Sequence, residues 1–256
     1  MVLRAINEFS PVRSRSAADD VLHQVLDRIR SGQLVEGDSL PGERTLASQL
    51  EVSRPTVRIA IARLVDAGLL RNGTGRSGSP EVVSIWIPDD LAMAHAAPPA
   101  TGDDDAIFRL LEARRTVEPR VAQLAALRAG PEHFRLLQQS IDLLREHQGD
   151  HPKAAQAEVM FHRTMWRAAG NVPLERMMVG LFRDLIVVRD MTLRTPVDYA
   201  AAIEHHAATL AALRQGSPDE IEREMSRHLG YLEDIAEHVL ERRAHRDRPS
   251  FLNRES

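Results

Sequence analysis

Apolar residues recur at three- and four-residue intervals along most of this chain, a pattern that predicts a mainly α-helical protein. In VLHQVLDRIRSG, Val21, Leu22, Val25, Leu26 and Ile29 share one helical stripe that Gly32 ends. LPGERTLASQL follows and buries Leu46 and Leu50. After the short turn Glu51-Val52, the run SRPTVRIAIARLVDAGLL turns Val57, Ile61 and Leu64 inward. Ser53 is placed to cap that helix, and Pro55 falls in its first turn, where the missing N–H costs nothing. Only two segments read as strands, one around Leu69 to Arg71 and one at VVSIWIP, residues 82–88. The glycines of NGTGRSGSP between them suit a tight hairpin.

Beyond Pro88, DDLAMAHAAPPATGDDD has little periodicity and reads as an interdomain linker. From Ala106 onward the apolar stripes describe about six helices, separated by turn signals such as Gly130-Pro131, Gly170-Asn171, Thr195-Pro196 and Gly216 to Pro218. The expected architecture is therefore an N-terminal winged helix-turn-helix followed by an antiparallel all-α bundle. The expected divisions are an arm (1–20), the winged unit (21–88), a linker (89–103), the bundle (104–243) and a tail (244–256).

Composition narrows the choice of function. The chain has 256 residues and no cysteine, so disulfides and thiolate metal sites are excluded and a reducing cytoplasm is compatible. MVLRAINEFSPVR has no apolar run resembling a signal peptide, and no later stretch could span a bilayer, so a cytoplasmic protein without a membrane partner is expected. The formal net charge of -4 argues against polyanion binding over the whole surface. Between Arg44 and Arg76, however, six arginines (44, 54, 58, 63, 71, 76) face two acids, Glu51 and Asp66.

That basic cluster falls on the helix-turn-helix. In such a motif the second helix enters the major groove and its N-terminal turns reach the bases. The planar forks of Arg54 and Arg58 match guanine O6 and N7, while the Ser53 and Thr56 hydroxyls and the helix's N-terminal amides suit phosphates. The run LPGERTLASQLEVSRPTVRIAIARLVDAGLL resembles the DNA-binding domain of the GntR family of bacterial transcription regulators throughout its length. The resemblance rests on Leu40-Pro41, Glu43-Arg44, Leu46-Ala47, the run from Val52 to Arg58, Arg63-Leu64 and Ala67-Gly68-Leu69. It implies operator contacts from Arg44, Arg54, Thr56 and Arg58, with Gly75 and Arg76 in a wing near the minor groove. Ile59 departs from the family, which usually has an acid there, and alters local packing or a salt bridge.

EVMFHRTMW, residues 158–166, sets a carboxylate and an imidazole one helical turn apart in an apolar run. Glu158 and His162 share a face with Met165 and Trp166, and buried polar groups of this kind require partners. His206 precedes Leu210 and Leu213 on a second stripe, and His228 lies beside Met225 and Leu229 on a third. Three helices can thus aim one carboxylate and three imidazoles at a common interior point. Such a donor set favours zinc, nickel or manganese over calcium. The alternative is that these are core histidines hydrogen-bonded to backbone. His205 points roughly 100° away from His206 and is expected at the surface.

The succession LLEARRTVEPRVAQLAA, EVMFHRTM, AAGNVPL, HAATLAALRQG and MSRHL resembles the FCD effector-binding domain of the FadR subgroup of GntR regulators, over about residues 104–243. The resemblance implies metal ligation by Glu158, His162, His206 and His228, with glutamate where aspartate is usual. It also implies that Arg114 lies near the effector pocket, where a buried guanidinium suits an anion. Asn171 reads instead as a helix-terminus cap.

These features describe a ligand-responsive DNA-binding regulator, most often a repressor in this family, and not an enzyme. Its expected partners are pseudo-palindromic double-stranded operator DNA, a second copy in a homodimer, and a small organic acid. Two other readings remain open on the residues alone: a metal-dependent enzyme with Glu158 as general base, and a dimeric DNA-binding module with no effector.

Overall fold

A computed structural model describes residues 16–73, 79–88, 91, 104–185 and 193–246. Among the described residues the chain is nine α-helices and one two-stranded sheet, divided into two compact units. One unit runs to Ile85, leaving out residues 30–33; the other holds those four residues and the chain from Trp86 onward. No helix among the described residues is long and apolar enough to cross a membrane.

The first unit comprises α1 (Ala17–Arg30), α2 (Glu43–Gln49), α3 (Arg54–Asp66), β1 (Leu70–Arg71) and β2 (Glu81–Val82). α1 begins at Ala17, four residues before the expected start of the unit, because Ser16 caps it. The Ser16 hydroxyl accepts from the Asp19 amide, and the Asp19 carboxylate accepts from the Ser16 amide. The expected stripe Val21, Leu22, Val25, Leu26 and Ile29 is buried, as are Val57, Ala60, Ile61 and Leu64 of α3. Arg63 reaches from α3 to the Asp19 carboxylate at 2.6 Å and holds that acid well below the usual carboxylate range.

The second strand is much shorter than the expected 82–88. β1 and β2 pair antiparallel with Leu70 opposite Val82 and Arg71 opposite Glu81, and Arg71 also bonds the Glu81 carboxylate. On its other side β2 meets the segment around Ser39: the Leu40 amide donates to Pro80 O and the Val82 amide to Asp38 O. The ladder stops because the chain beyond Ile85 has other partners. The Gln156 side chain accepts from the Ile87 amide (2.8 Å) and donates to its carbonyl (2.9 Å), satisfying a backbone with no strand beside it.

The second unit is the helical bundle: α4 (Asp104–Arg128), α5 (Pro131–Glu146), α6 (His151–Ala168), α7 (Val172–Asp184), α8 (Pro196–Gln215) and α9 (Pro218–Arg246). α6 packs against α4, α5 and α7, and buries twelve of its eighteen residues. Phe161, Met165 and Trp166 of α6 meet Leu137 and Ile141 of α5, Leu210 and Leu213 of α8, and Met225 of α9 in one core. The Asn171 side chain accepts from the Leu174 amide and caps α7, as expected of it. α9 runs to Arg246, past the expected end of the bundle at 243. The expected linker, apart from Leu91, and the tail beyond Arg246 lie outside the described residues.

Both helices of the helix-turn-helix are followed by a residue with left-handed backbone. Glu51 (φ 55) ends α2, where the Val52 amide bonds Ala47 O; Gly68 (φ 72) ends α3, where the Leu69 amide bonds Leu64 O. A Cβ on Gly68 would meet nothing within 4 Å, so a substitution there is penalised by backbone strain alone. Gly68→Ala is expected to destabilise the first unit by about 1–2 kcal/mol. Hydrogen exchange of the α3 amides in the intact chain measures this, and protection equal to wild type would refute it.

Candidate metal centre and DNA-facing helix

On α3, the Ser53 hydroxyl accepts from the Thr56 amide at 3.2 Å and lies 2.7 Å from the Thr56 hydroxyl. Both side chains expected to take phosphates therefore also build the start of their own helix. Arg44 and Arg54 are exposed and have no ion pair among the described residues. Arg58 is exposed too, but its guanidinium grips the Glu43 carboxylate of α2 through Nε (3.3 Å) and Nη2 (3.0 Å). That pair holds the Glu43 carboxyl below its ordinary value. Ile59, next along the helix, is 54% exposed. Gly75 and Arg76 lie outside the described residues.

In the bundle, His162 of α6, His206 of α8 and His228 of α9 converge. One nitrogen from each lies within 4.8 Å of the others, and all three rings are buried. Ring centroids are 5.3 Å apart for His162–His206, 5.1 Å for His162–His228 and 4.9 Å for His206–His228. Phe161 stacks on His206 at 4.1 Å and fixes that ring's plane. Burial, reinforced by the neighbouring imidazoles and by Arg114, pushes the His206 and His228 pKa values well below that of an ordinary histidine. Both rings are therefore neutral, with lone pairs available.

Several of these atoms lack partners. Both ring nitrogens of His206, Nδ1 of His228 and Oε2 of Glu158 are buried without a hydrogen bond. Each such atom costs about 1–3 kcal/mol when nothing satisfies it. Four tetrahedral ligands at zinc bond lengths of about 2.0–2.1 Å lie roughly 3.4 Å from one another, so small side-chain movements would close the three nitrogens around an ion. The donor set and its unsatisfied atoms thus fit a divalent metal.

Glu158 departs from the expected set. It is buried on α6, but the group that closes to 4.8 Å comprises the three imidazoles and leaves its carboxylate out. Glu158 instead lines a small cleft with Leu193, Asp198, His205, His228 and Tyr231. His205 is likewise not the surface residue expected. It is half-buried in that cleft, parallel to His228 at 5.7 Å, because α8 lies between neighbours on more than one face.

Arg114 of α4 is buried and carries a partner that sequence reasoning missed. Arg114 Nε donates to Glu118 Oε2 at 2.6 Å, and Arg114 Nη2 lies 3.2 Å from His162 Nε2. Glu118 Oε1 accepts from Trp166 Nε1 at 2.8 Å and lies 2.7 Å from His162 Nδ1. Burial alone would raise the Glu118 carboxyl, but the Arg114 guanidinium and His162 beside it hold it well below the usual range. The signal was present in the spacing: Leu111, Arg114, Glu118, Val121, Ala122 and Ala125 follow one buried stripe, with two charges inside it.

Comparisons with known proteins assign a family to each end of the chain. Residues 17–77 match the model of bacterial regulatory proteins of the gntR family, and residues 109–231 match the FCD domain. A protein of Escherichia coli described as an L-lactate dehydrogenase operon regulatory protein is 31% identical over 229 residues, covering 86% of each chain. The HTH-type transcriptional repressor NanR of Cronobacter sakazakii is 29% identical over 229 residues, covering 86% of this chain and 85% of NanR. Among solved structures, E. coli McbR/YncC aligns over 89% of this chain and all of its own at 19% identity, with a TM-score of 0.48. The curated relatives are transcription regulators and not enzymes. With a GntR domain at one end and an FCD domain at the other, this chain belongs to the GntR family of bacterial DNA-binding transcription regulators.

Proposed function

We propose that this protein is a metal-dependent, ligand-responsive repressor that binds a pseudo-palindromic operator as a homodimer and responds to a small organic acid. The observation that carries the reading is the meeting of three buried imidazoles, with unsatisfied nitrogens on His206 and His228, beside a buried arginine. His162, His206 and His228 hold a divalent ion, zinc foremost, with nickel or manganese as alternatives. Glu158, bordering the same cleft as His228, completes the set directly or through water. Bound there, the ion supplies an open coordination position for an acidic ligand.

Arg114 neutralises the carboxylate of that ligand, since a guanidinium matches a carboxylate in shape and charge. One relative's connection with an L-lactate dehydrogenase operon supports a small hydroxy acid. At the other end Arg44, Arg54 and Arg58 read or grip the operator, with Ser53 and Thr56 at phosphates and Gly75 and Arg76 in the wing. Glu43 must release Arg58 for that contact. The ligand regulates only if its affinity differs between the operator-bound and free arrangements.

Three experiments test the parts of this reading separately. His162→Ala is expected to abolish metal uptake by untagged protein, measured by elemental analysis, while leaving operator affinity measurable; unchanged metal content would contradict the ligand assignment. Arg54→Ala and Arg58→Ala are each expected to weaken operator binding roughly 5- to 150-fold in fluorescence anisotropy, the equivalent of a lost bidentate base contact. Wild-type affinity in both variants would contradict the docking. In a thermal-shift screen of hydroxy acids and dicarboxylates, stabilisation by the effector is expected to vanish with chelator. A shift indifferent to chelator would separate the effector from the metal.

A further inference from the structure

We propose that Glu118, a residue outside the ligand set, dictates the tautomer of His162 and so decides which of its nitrogens is offered to the metal. The inference rests on the metal reading above and deepens it. A carboxylate only accepts hydrogen bonds and a guanidinium only donates them. Glu118 Oε1 lies 2.7 Å from His162 Nδ1, so Nδ1 carries the proton. Arg114 Nη2 lies 3.2 Å from Nε2 and 3.4 Å from Nδ1, so it sits over the face of the ring and selects neither nitrogen. The carboxylate alone sets the tautomer.

Glu118 is not free to change its role. Trp166 Nε1 donates to the same Glu118 oxygen at 2.8 Å, and Arg114 Nε fills the other at 2.6 Å. Glu118, His162 and Trp166 are 0% exposed and Arg114 is 4% exposed, so water does not compete. The other tautomer would set a bare nitrogen against the carboxylate, a repulsive contact at low dielectric.

His162 Nε2 is thus the ligating atom, and the Nδ1–H bond to a carboxylate makes it more basic. Metal-bound histidines recurrently have such a partner behind them. Glu118 is a positioning residue: it touches neither ion nor effector.

The direct test is the ring ¹⁵N spectrum of full-length, metal-stripped protein, recorded at about pH 8, above the histidine range, with His162 assigned against His162→Gln. The expected pattern is a protonated Nδ1 and a bare Nε2; a protonated Nε2 overturns the proposal. In a competition titration, Glu118→Gln is expected to bind zinc about 10- to 100-fold more weakly, because an amide can either accept or donate and no longer selects one tautomer. Wild-type zinc affinity in folded Glu118→Gln also overturns it. Should that variant not fold, the wild-type spectrum decides alone. Wild-type protein that takes up no zinc refutes the metal reading, and the ring spectrum still judges the tautomer.

Discussion

A buried carboxylate shared by three partners organises the bundle. Glu118 brings Arg114 of its own helix together with His162 and Trp166 of α6. Each of those side chains would be costly inside a bundle without it, since a guanidinium, an imidazole and an indole N–H all need acceptors once water is gone. Removing one member of such a buried ion pair typically costs about 3–5 kcal/mol, because the other charge is left uncompensated. α4 and α6 are consequently held in a register that apolar contacts alone, which slide more freely, do not define. The histidines of α8 and α9 close on His162 in that register.

Helix placement was legible in the sequence wherever one face is buried and the opposite face solvated. The α1 and α3 stripes could be read directly from Val21 to Ile29 and from Val57 to Leu64. The convergence of His162, His206 and His228 was legible too, since each sits on an apolar stripe where a solvated imidazole has no place. Glu118 escaped notice because ARRTVEPR reads as a solvated face. Its neighbours Arg115, Thr116 and Arg120 are indeed exposed, and its main partners lie more than forty residues away. Glu158 was legible as buried but not in its aim, which depends on how α8 and α9 seat against α6. The strand at 82–88 failed for a related reason: Ile87 finds its backbone partner in the side chain of Gln156, a pairing with no local signature.

Charge serves the two units differently. In the first unit part of the arginine surplus has internal partners: Arg63 joins α3 to α1, Arg71 joins the two strands, and Arg58 joins α3 to α2. Arg44 and Arg54 keep their forks open to solvent. The exposed Arg58–Glu43 pair stabilises the unit little, and parting it costs correspondingly little. The buried Arg114–Glu118 pair is different. Without water to take over, Arg114 keeps Glu118 as its partner.

The account stands on a cation held by imidazole nitrogen deep in the bundle. X-ray absorption at the zinc edge of zinc-loaded, untagged protein measures that coordination directly. Three imidazole nitrogens and oxygen at about 2.0–2.1 Å are the predicted shell. A shell of oxygen alone, or of fewer than two imidazoles, would contradict the account.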